Sequence, residues 1–401
     1  MMPAMASPEM LRRLDRVLGG IACRILACCG ARRKPAAFPA AGRRDVLVMQ
    51  LAEMGSMVLA LPALGELRQR MPDVRLHFLV MRESRALIDA LHLAPPERVH
   101  ALDFSSTGSL LGSLRRALGT CRRAHLAAAI HFDFFAQGHA AFAALACPQG
   151  ERVGFDNGKH GARRALLTRP VMYSAHHHTA DMFSVLVRSL FLPPDTAPFA
   201  RIPLGSASAL PDYKPDAADL HSVKGKLGAN AEKNFFLVSA NASDRLALRR
   251  WPLTRFAQAT RDWLEAHNDW HAVLIGTDSD RMSSAEVAAA HCDITDLTGR
   301  TTFGELLALM SAAKLLLCND SGPAHFASLA RLPSVVLFGP ETPRLYAPLG
   351  GRAECLHADF ACSPCVSAYN DKSSDCPRSL CLEHIQVDAV LAAMERAAAR
   401  A

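Results

Sequence analysis

Aromatic residues are scarce in this chain: three Trp, four Tyr and eighteen Phe make up only 6% of 401 residues. Surfaces that read single-stranded nucleic acid need aromatic platforms interleaved with basic side chains. No such interleaving is present, which argues against a nucleic-acid reader. Also missing is an uninterrupted apolar run approaching the ~18 residues of a membrane-spanning helix. The best stretch, Leu126–Cys147, is broken by His131, Asp133 and His139. Charge of one sign is only mildly in excess, with 45 Lys plus Arg against 38 Asp plus Glu and a formal balance of +7. That balance suits an acidic small molecule or an anionic surface.

A secretory signal is lacking as well. Arg12, Arg13, Arg16, Arg24, Arg32, Arg33 and Lys34 alternate with Leu14, Val17, Leu18, Ile21, Ile25 and Leu26, so no unbroken apolar centre forms. Positions 14, 17, 18, 21 and 25 follow helical spacing. The segment reads either as a basic amphipathic helix lying on anionic lipid or as a leader packed on the body or left disordered. Without an export signal a cytoplasmic, reducing compartment is expected. The twelve cysteines are then not expected to build a disulfide framework.

What is present is alternation. Short apolar runs at 44–51, 74–80, 99–103 and 126–132 alternate with helical patterns at 57–71, 84–91, 110–123 and 138–146. A Pro-rich stretch, Phe191–Ala217, interrupts, and the alternation restarts with strands at 234–240, 271–276, 296–299, 315–318 and 334–339. This pattern predicts two doubly wound parallel units. The expected division is a leader (1–43), a first Rossmann-like domain (44–215), a second (216–350), and a Cys-rich segment with a closing helix (351–401). Ligands of this architecture bind at the carboxyl ends of the strands, in a cleft if the two units face one another.

Leu315–Ala330, LLLCNDSGPAHFASLA, carries the sharpest local signal. A strand ends at Cys318, a turn follows through Asp320, Ser321 and Gly322, and Pro323 opens a helix where its missing N–H does no harm. The N–H groups of Gly322, Ala324 and His325, with the positive end of the helix dipole, form an anion site suited to a diphosphate. Ser243 and the pair Arg249-Arg250 follow another strand end and can hold a second face of that anion. A third loop holds Thr277 and Asp278, whose oxygens either accept ribose hydroxyls or cap the next helix.

Several further groups deserve placement. Arg152, Lys159, His160, Arg163 and Arg164 read as a basic loop, either meeting an anionic acceptor or merely solvated. His176-His177-His178 with Asp181 is metal-like in composition, although adjacent histidines rarely converge on one ion; His178 near an acceptor is the better reading. Cys362, Cys365, Cys376 and Cys381 have the makings of a structural zinc set, with reduced or locally bridged thiols as the favoured alternative. No cofactor and no catalytic metal is expected.

The segment DLTGRTTFGELLALMSAAKLLLCNDSGPAHFASLA resembles the nucleotide-sugar half of glycosyltransferase family 9, the heptosyltransferases. Arg249–Pro252, RRWP, is similar to that family's basic-x-Trp-Pro element, and MQLAEMGSMVLALPAL to its opening strand, turn and helix. The resemblance implies a GT-B fold and inverting, metal-independent transfer of a sugar from a nucleoside diphosphate, ADP-heptose in the best-known members. The implied acceptor is a lipopolysaccharide-core or related glycan on the cytoplasmic face of the inner membrane, where the protein is expected as a soluble or peripheral enzyme. Thr301 of the TGRT stretch joins Ser243, Arg249, Thr277, Asp278, Asp320, Ser321, Gly322 and His325 on the implied donor side. Gly55, Arg152, Lys159, Arg163 and His178 fall on the acceptor side. The family places an Asp, its base, directly after the glycine of the first turn; here that position is Ser56. A hydroxyl cannot take a proton at neutral pH without a base of its own. Glu53, the nearest carboxylate in sequence, is therefore the expected base, with Ser56 orienting the acceptor. The competing readings are a nucleotide-sugar epimerase of the same fold and a non-catalytic nucleotide-sugar binder.

Overall fold

The computed structural model describes residues 13, 15–38, 44–158, 161–196, 204 and 210–400. The chain divides into two compact units, Met1–Ala209 and Leu210–Ala401. The first is built on β1 (Arg44–Gln50), β2 (Val74–Met81), β3 (Val99–Leu102), β4 (Ala128–His131), β5 (Glu151–Asp156) and β6 (Arg169–Met172). All pair in parallel, in the order β3-β2-β1-β4-β5-β6. Val46–Met49 is apolar without alternation because both faces of the strand are covered.

The second unit repeats this plan. Its strands are β7 (Asn234–Ser239), β8 (Trp270–Leu274), β9 (Ile294–Asp296), β10 (Leu315–Asn319), β11 (Ser334–Phe338) and β12 (Ala353–His357). They run parallel in the order β12-β11-β10-β7-β8-β9, the same winding as in the first sheet. The helices that matter below are α1 (Gly20–Cys28), α2 (Met54–Arg70), α3 (Thr107–Arg123), α4 (Gln137–Ala146) and α5 (Thr179–Ser189) in the first unit. In the second they are α6 (Ala217–Leu227), α7 (Leu253–Ala266), α8 (Phe303–Ala312), α9 (Gly322–Leu329) and α10 (Val387–Ala398).

Packing places three segments. Residues 151–156, read as part of a basic loop, form the fully buried strand β5. The closing helix α10 packs within the second unit. Val390, Ala393, Met394 and Ala397 of α10 share one core with Phe236, Leu315 and Val335, and β12 joins the same sheet, so 351–401 belongs to the second unit. The described part of the leader is a docked piece of the first unit. The Asp15 carboxylate accepts the N–H groups of Gln137 (2.9 Å) and Gly138 (2.7 Å) at the start of α4. Cys23 and Ala27 are buried with Ala140, Ala144 and Leu166.

Local chemistry sets the helix starts. Ser106 caps α3 by accepting the Ser109 N–H, and Thr302 with Glu305 forms a reciprocal capping box on α8. Glu305 also binds Lys226 of α6 at 2.6 Å and the Ser222 hydroxyl at 2.5 Å. Those two hydrogen bonds, Lys226 first, hold its carboxyl at about 2, below the ordinary 4.5. Glu305→Gln is therefore expected to cost about 1–3 kcal/mol of stability at neutral pH. Since the folded pKa lies below the unfolded one, the wild-type advantage is complete above about pH 4.5 and fades as pH falls toward 2. Urea unfolding of both proteins at pH 7 and pH 3 measures it; a gap that does not narrow would rule out this ion pair as the source.

Candidate functional site

In each sheet the winding reverses between two central strands, β1 and β4 in the first and β7 and β10 in the second. Loops leave such a pair in opposite directions and open a crevice at the carboxyl ends, where ligands enter doubly wound sheets. The site residues are therefore sought at those four strand ends.

In the second unit the reversal is held by Asn319, the fully buried last residue of β10. Its Nδ2 donates to the Ala240 carbonyl beyond β7 (2.8 Å), and its Oδ1 accepts the Trp251 N–H (2.9 Å). Trp251 is in turn buried edge-on against Phe256, with centroids 5.0 Å apart, and its Nε1–H donates to the Ile385 carbonyl at 3.1 Å. Two residues upstream, Arg249 is largely buried. Arg250 takes a different part. Its guanidinium turns back on the Ala242 carbonyl at 2.9 and 2.6 Å and braces its own loop. The basic pair thus splits into one structural arginine and one at the strand ends. The Cys-rich tail supports the same element: Ser379 donates to the Leu248 carbonyl, and Arg255 to the carbonyls of Glu383 and Ile385.

At the start of α9 the Asp320 N–H is tied to the Leu337 carbonyl (2.9 Å), which fixes the turn to β11. Ser321 stands at the cap position in extended backbone, but its hydroxyl donates to the Asn319 carbonyl (3.2 Å) instead of capping. The expected set of amide donors is smaller than the sequence suggests, because the Ala324 N–H is taken by the Ser321 carbonyl at 3.2 Å. The Gly322 N–H, at the first helical position, has no intrahelical acceptor. Gly322 and Pro323 are half-buried and reach solvent, while Asp320, Ser321 and His325 are buried behind them.

The end of β11 adds a group with no signal in the sequence. Glu341 is buried and binds Lys372 at 2.9 Å. The Lys372 ammonium also lies 4.4 Å from the centre of the Tyr346 ring. Burial works to lower the lysine pKa, but Tyr346 and Glu341 outweigh it and raise it overall, against repulsion from Arg249. Lys372 is thus a firmly charged neighbour of Arg249. It is delivered by a turn in which Asp371 and Lys372 both take left-handed backbone angles, φ 56° and 54°.

The remaining donor-side residues are placed as follows. Thr277 and Asp280 form a capping box, with the Thr277 N–H donating to Asp280 at 2.8 Å, and Asp278 pairs with Arg281 at 2.8 Å. Of the two readings of that loop, the cap is the one the geometry displays. Thr301 is half-buried just before the cap of α8. Ser243 lies half-buried in the loop after β7, its carbonyl accepting the Leu246 N–H at 3.1 Å.

In the first unit Glu53 is the residue preceding α2, and Ser56 is in that helix's first turn, its N–H donating to the Glu53 carbonyl at 2.9 Å. Gly55 is a buried helical residue and not part of an open turn. Across the reversal, Asp133 follows β4. Its Oδ2 accepts the Leu51 N–H at 2.7 Å and meets His139 Nε2 at 3.1 Å. Burial opposes charge on His139, but Asp133 raises its pKa overall. His131, buried alongside, is pushed down by desolvation. Asp133 and His139 were noted in the sequence only as interruptions of an apolar run.

Other acceptor-side expectations are corrected. Arg152 is wholly buried and donates to the Ala31 carbonyl at 2.7 Å, tying down the leader. Arg163 is buried and donates to the carbonyls of Phe155 (2.6 Å) and Ala136 (3.0 Å). Neither presents its charge to an acceptor, since a guanidinium sunk among carbonyls is a structural strut. His178 precedes α5 and accepts the Ala180 N–H at 3.3 Å, a cap. Lys159 and His160 lie outside the described residues. The four tail cysteines do not converge as zinc ligands. Cys365 Sγ faces Ser374 Oγ at 3.3 Å, and Cys376 donates to the Arg378 carbonyl at 2.7 Å. Among the described residues, metal-type side chains come within common reach only at His291, Cys292 and Asp293, three consecutive residues at the surface.

A family model described as "Glycosyltransferase family 9 (heptosyltransferase)" matches residues 127–374. The chain is 28% identical over 113 residues to lipopolysaccharide heptosyltransferase 2 of Escherichia coli K12, covering 27% of this chain and 32% of that protein. It is 22% identical over 296 residues to lipopolysaccharide heptosyltransferase 3 of the same strain, covering 71% and 79%. The first of these matches spans about a third of the relative's length. The solved structure of E. coli ADP-heptose lipopolysaccharide heptosyltransferase II superposes with a TM-score of 0.67 at 17% identity, over 89% of this chain and 99% of that one. The shared architecture, two parallel six-stranded sheets, is the GT-B fold.

Asn319→Ala removes both partners of its clamp and leaves the Ala240 carbonyl and the Trp251 N–H buried without them. The expected cost is about 2 kcal/mol or more, read by urea unfolding. Asn241→Ala, which loses one bond to Ser283, is expected to cost less than half as much. Equal losses would deny Asn319 its special place.

Proposed function

From membership in glycosyltransferase family 9, which the match over 127–374 establishes, we propose that the reaction is inverting transfer of heptose from ADP-heptose to a lipopolysaccharide-core or related glycan. The observation that carries this reading is the largely buried Arg249, clamped through Trp251 and Asn319 at the same strand ends as the start of α9. A guanidinium and an unpaired helical N–H at one rim favour an anion, and Lys372 adds a second full charge. The diphosphate of the donor is the ligand this arrangement fits, with Ser243, Ser321 and His325 lining the same ends. Thr277, Asp278 and Thr301 are assigned to the outer part of the donor.

The first unit is assigned the acceptor. Asp133 is engaged with the Leu51 N–H and His139, so it positions the loop that leads to α2. Glu53 then serves as the base and Ser56 as the orienting hydroxyl. In the step itself the acceptor oxygen attacks the anomeric carbon as its proton passes to Glu53. The bond from that carbon to the β-phosphate oxygen breaks, and the leaving diphosphate keeps the electron pair. Arg249, Lys372 and the α9 amide offset the charge that develops on it. The acceptor chemistry assigns the work to the cytoplasmic face of the inner membrane.

A second reading, a nucleotide-sugar binder without turnover, draws on Ser56 standing where the family has its Asp. Glu53→Gln is expected to lower kcat by about 10²–10⁴-fold while ADP still stabilises the protein. Arg249→Ala is expected to lose about 10²–10³-fold and to weaken that stabilisation. A thermal-shift panel of nucleoside diphosphates and their sugars, run with product analysis, tests both residues and the donor. Stabilisation by ADP compounds with no product from any acceptor would favour the binder. Donor epimerised without an acceptor would favour the epimerase. A response to UDP or GDP compounds alone would overturn the ADP assignment.

A further inference from the structure

The leader helix is held on one face only. Cys23 and Ala27 are buried against α4 and the segment 162–166, and Asp15 is locked onto the start of α4. On the outward side of this helix and of the π-helical turn Asp15–Gly19 that leads into it, Val17, Leu18, Ile21 and Ile25 are 58, 60, 47 and 56% exposed, four of the largest exposed aliphatic side chains among the described residues. Their spacing, i, i+1, i+4 and i+8, makes them one continuous ridge on the outer face. A soluble protein scatters single exposed aliphatics, but it rarely lines up a row of them on a short helix.

The ridge is set in positive charge. Arg13, Arg16 and Arg24 lie on the same helical stretch and are exposed, and Arg32, Arg33 and Lys34 follow it, also exposed. This charge decides between occupants. A second copy of the chain would bring the same arginines face to face, in a protein already carrying +7. An anionic phospholipid surface satisfies both features at once: acyl chains accept the aliphatic ridge, and headgroups accept the cations. No helix of the described residues is long and apolar enough to cross a membrane, so insertion would be shallow and parallel to the surface.

We propose that this outer face, Val17, Leu18, Ile21 and Ile25 with its flanking arginines, docks the first unit onto an anionic lipid bilayer. The helix is already folded and fixed to the unit, so binding requires no ordering of the segment. The contact needs neither donor nor acceptor, and its test is separate from that of the transferase reading.

Co-sedimentation with vesicles of phosphatidylcholine alone and of phosphatidylcholine mixed with phosphatidylglycerol tests the surface directly. Wild-type protein is expected to pellet with the anionic vesicles, to remain in solution with the neutral ones, and to release as salt is raised. The double variant L18S/I25S and the single variant R24E are each expected to lose about tenfold or more of the anionic partition. Both should keep the wild-type melting temperature, since the substituted side chains are exposed. Wild-type protein that ignores anionic vesicles, or variants that bind as the wild type does, would overturn the proposal. So would sedimentation velocity showing a dimer that L18S/I25S disperses, which would give the ridge to a second copy.

Discussion

Everything at the candidate donor site hangs on one buried amide. Asn319 ends the central strand of the second sheet and spans the point where the winding reverses, giving its two polar ends to two different loops. A buried side-chain amide left unsatisfied is costly, so an Asn here is stable only if both loops come to it. The sequence after β7 meets that demand with a Trp that is itself sunk in the core. Arg249 is positioned as a consequence, because the backbone two residues away is no longer free to move. The first sheet uses a carboxylate in the same topological place. Asp133, just beyond β4, takes the Leu51 N–H and so sets the loop from which α2 begins.

The electrostatics of the two units run in opposite senses. In the second, Lys372 and Arg249 are close enough for their charges to repel. Glu341 offsets part of this repulsion by holding Lys372, and Tyr346 gives the ammonium an aromatic face. Lys372 is thereby fixed by protein contacts before any ligand enters, the kind of pre-organisation the proposed diphosphate site calls for. In the first unit the carboxylate of Glu53 stands at the start of α2, where the helix dipole favours its anion.

The framework was largely legible because central strands of a parallel sheet are written as unbroken apolar runs; β1, β2, β7, β10 and β11 were recognisable on that ground. The edge strands β6 (RPVM) and β12 (AECLH) carry Arg, Pro, Glu and His, and did not look like strands. β5 reads as a loop in the sequence because Arg152 looks solvated until the carbonyl that receives it is known. A buried arginine and an exposed one are the same letter, and only tertiary partners separate them. At the site, the α9 turn and the RRWP element announced themselves through glycine, proline and local charge. Glu341 and Lys372 did not, since they lie on separate segments that meet only because the tail folds back over the strand ends. In the Thr277 loop and the four cysteines the sequence leaves two readings open, and the fold shows a helix cap at the first and thiols bonded within the tail at the second.

The leader bears on function through the way it is joined. Beside the apolar cluster around Cys23 and Ala27, its contacts with the first unit include a partly buried polar weave. Arg152 donates to Ala31, Arg169 donates to Ala36 (2.6 Å), and the Ala36 N–H donates to Glu151 (3.0 Å), which is itself salt-bridged to Arg169 at 2.9 Å. Breaking any strand of such a network leaves charges buried without partners, a loss of several kcal/mol. These bonds tie residues 31–36 to the side chains of β5 and β6. A membrane contact made through the leader would be transmitted rigidly to the unit assigned the acceptor. If that acceptor is a glycolipid, it and the enzyme's docking face share one surface, and the search for substrate becomes two-dimensional. The donor, a soluble nucleotide sugar, needs no such arrangement, which is consistent with the aliphatic ridge being built onto the first unit.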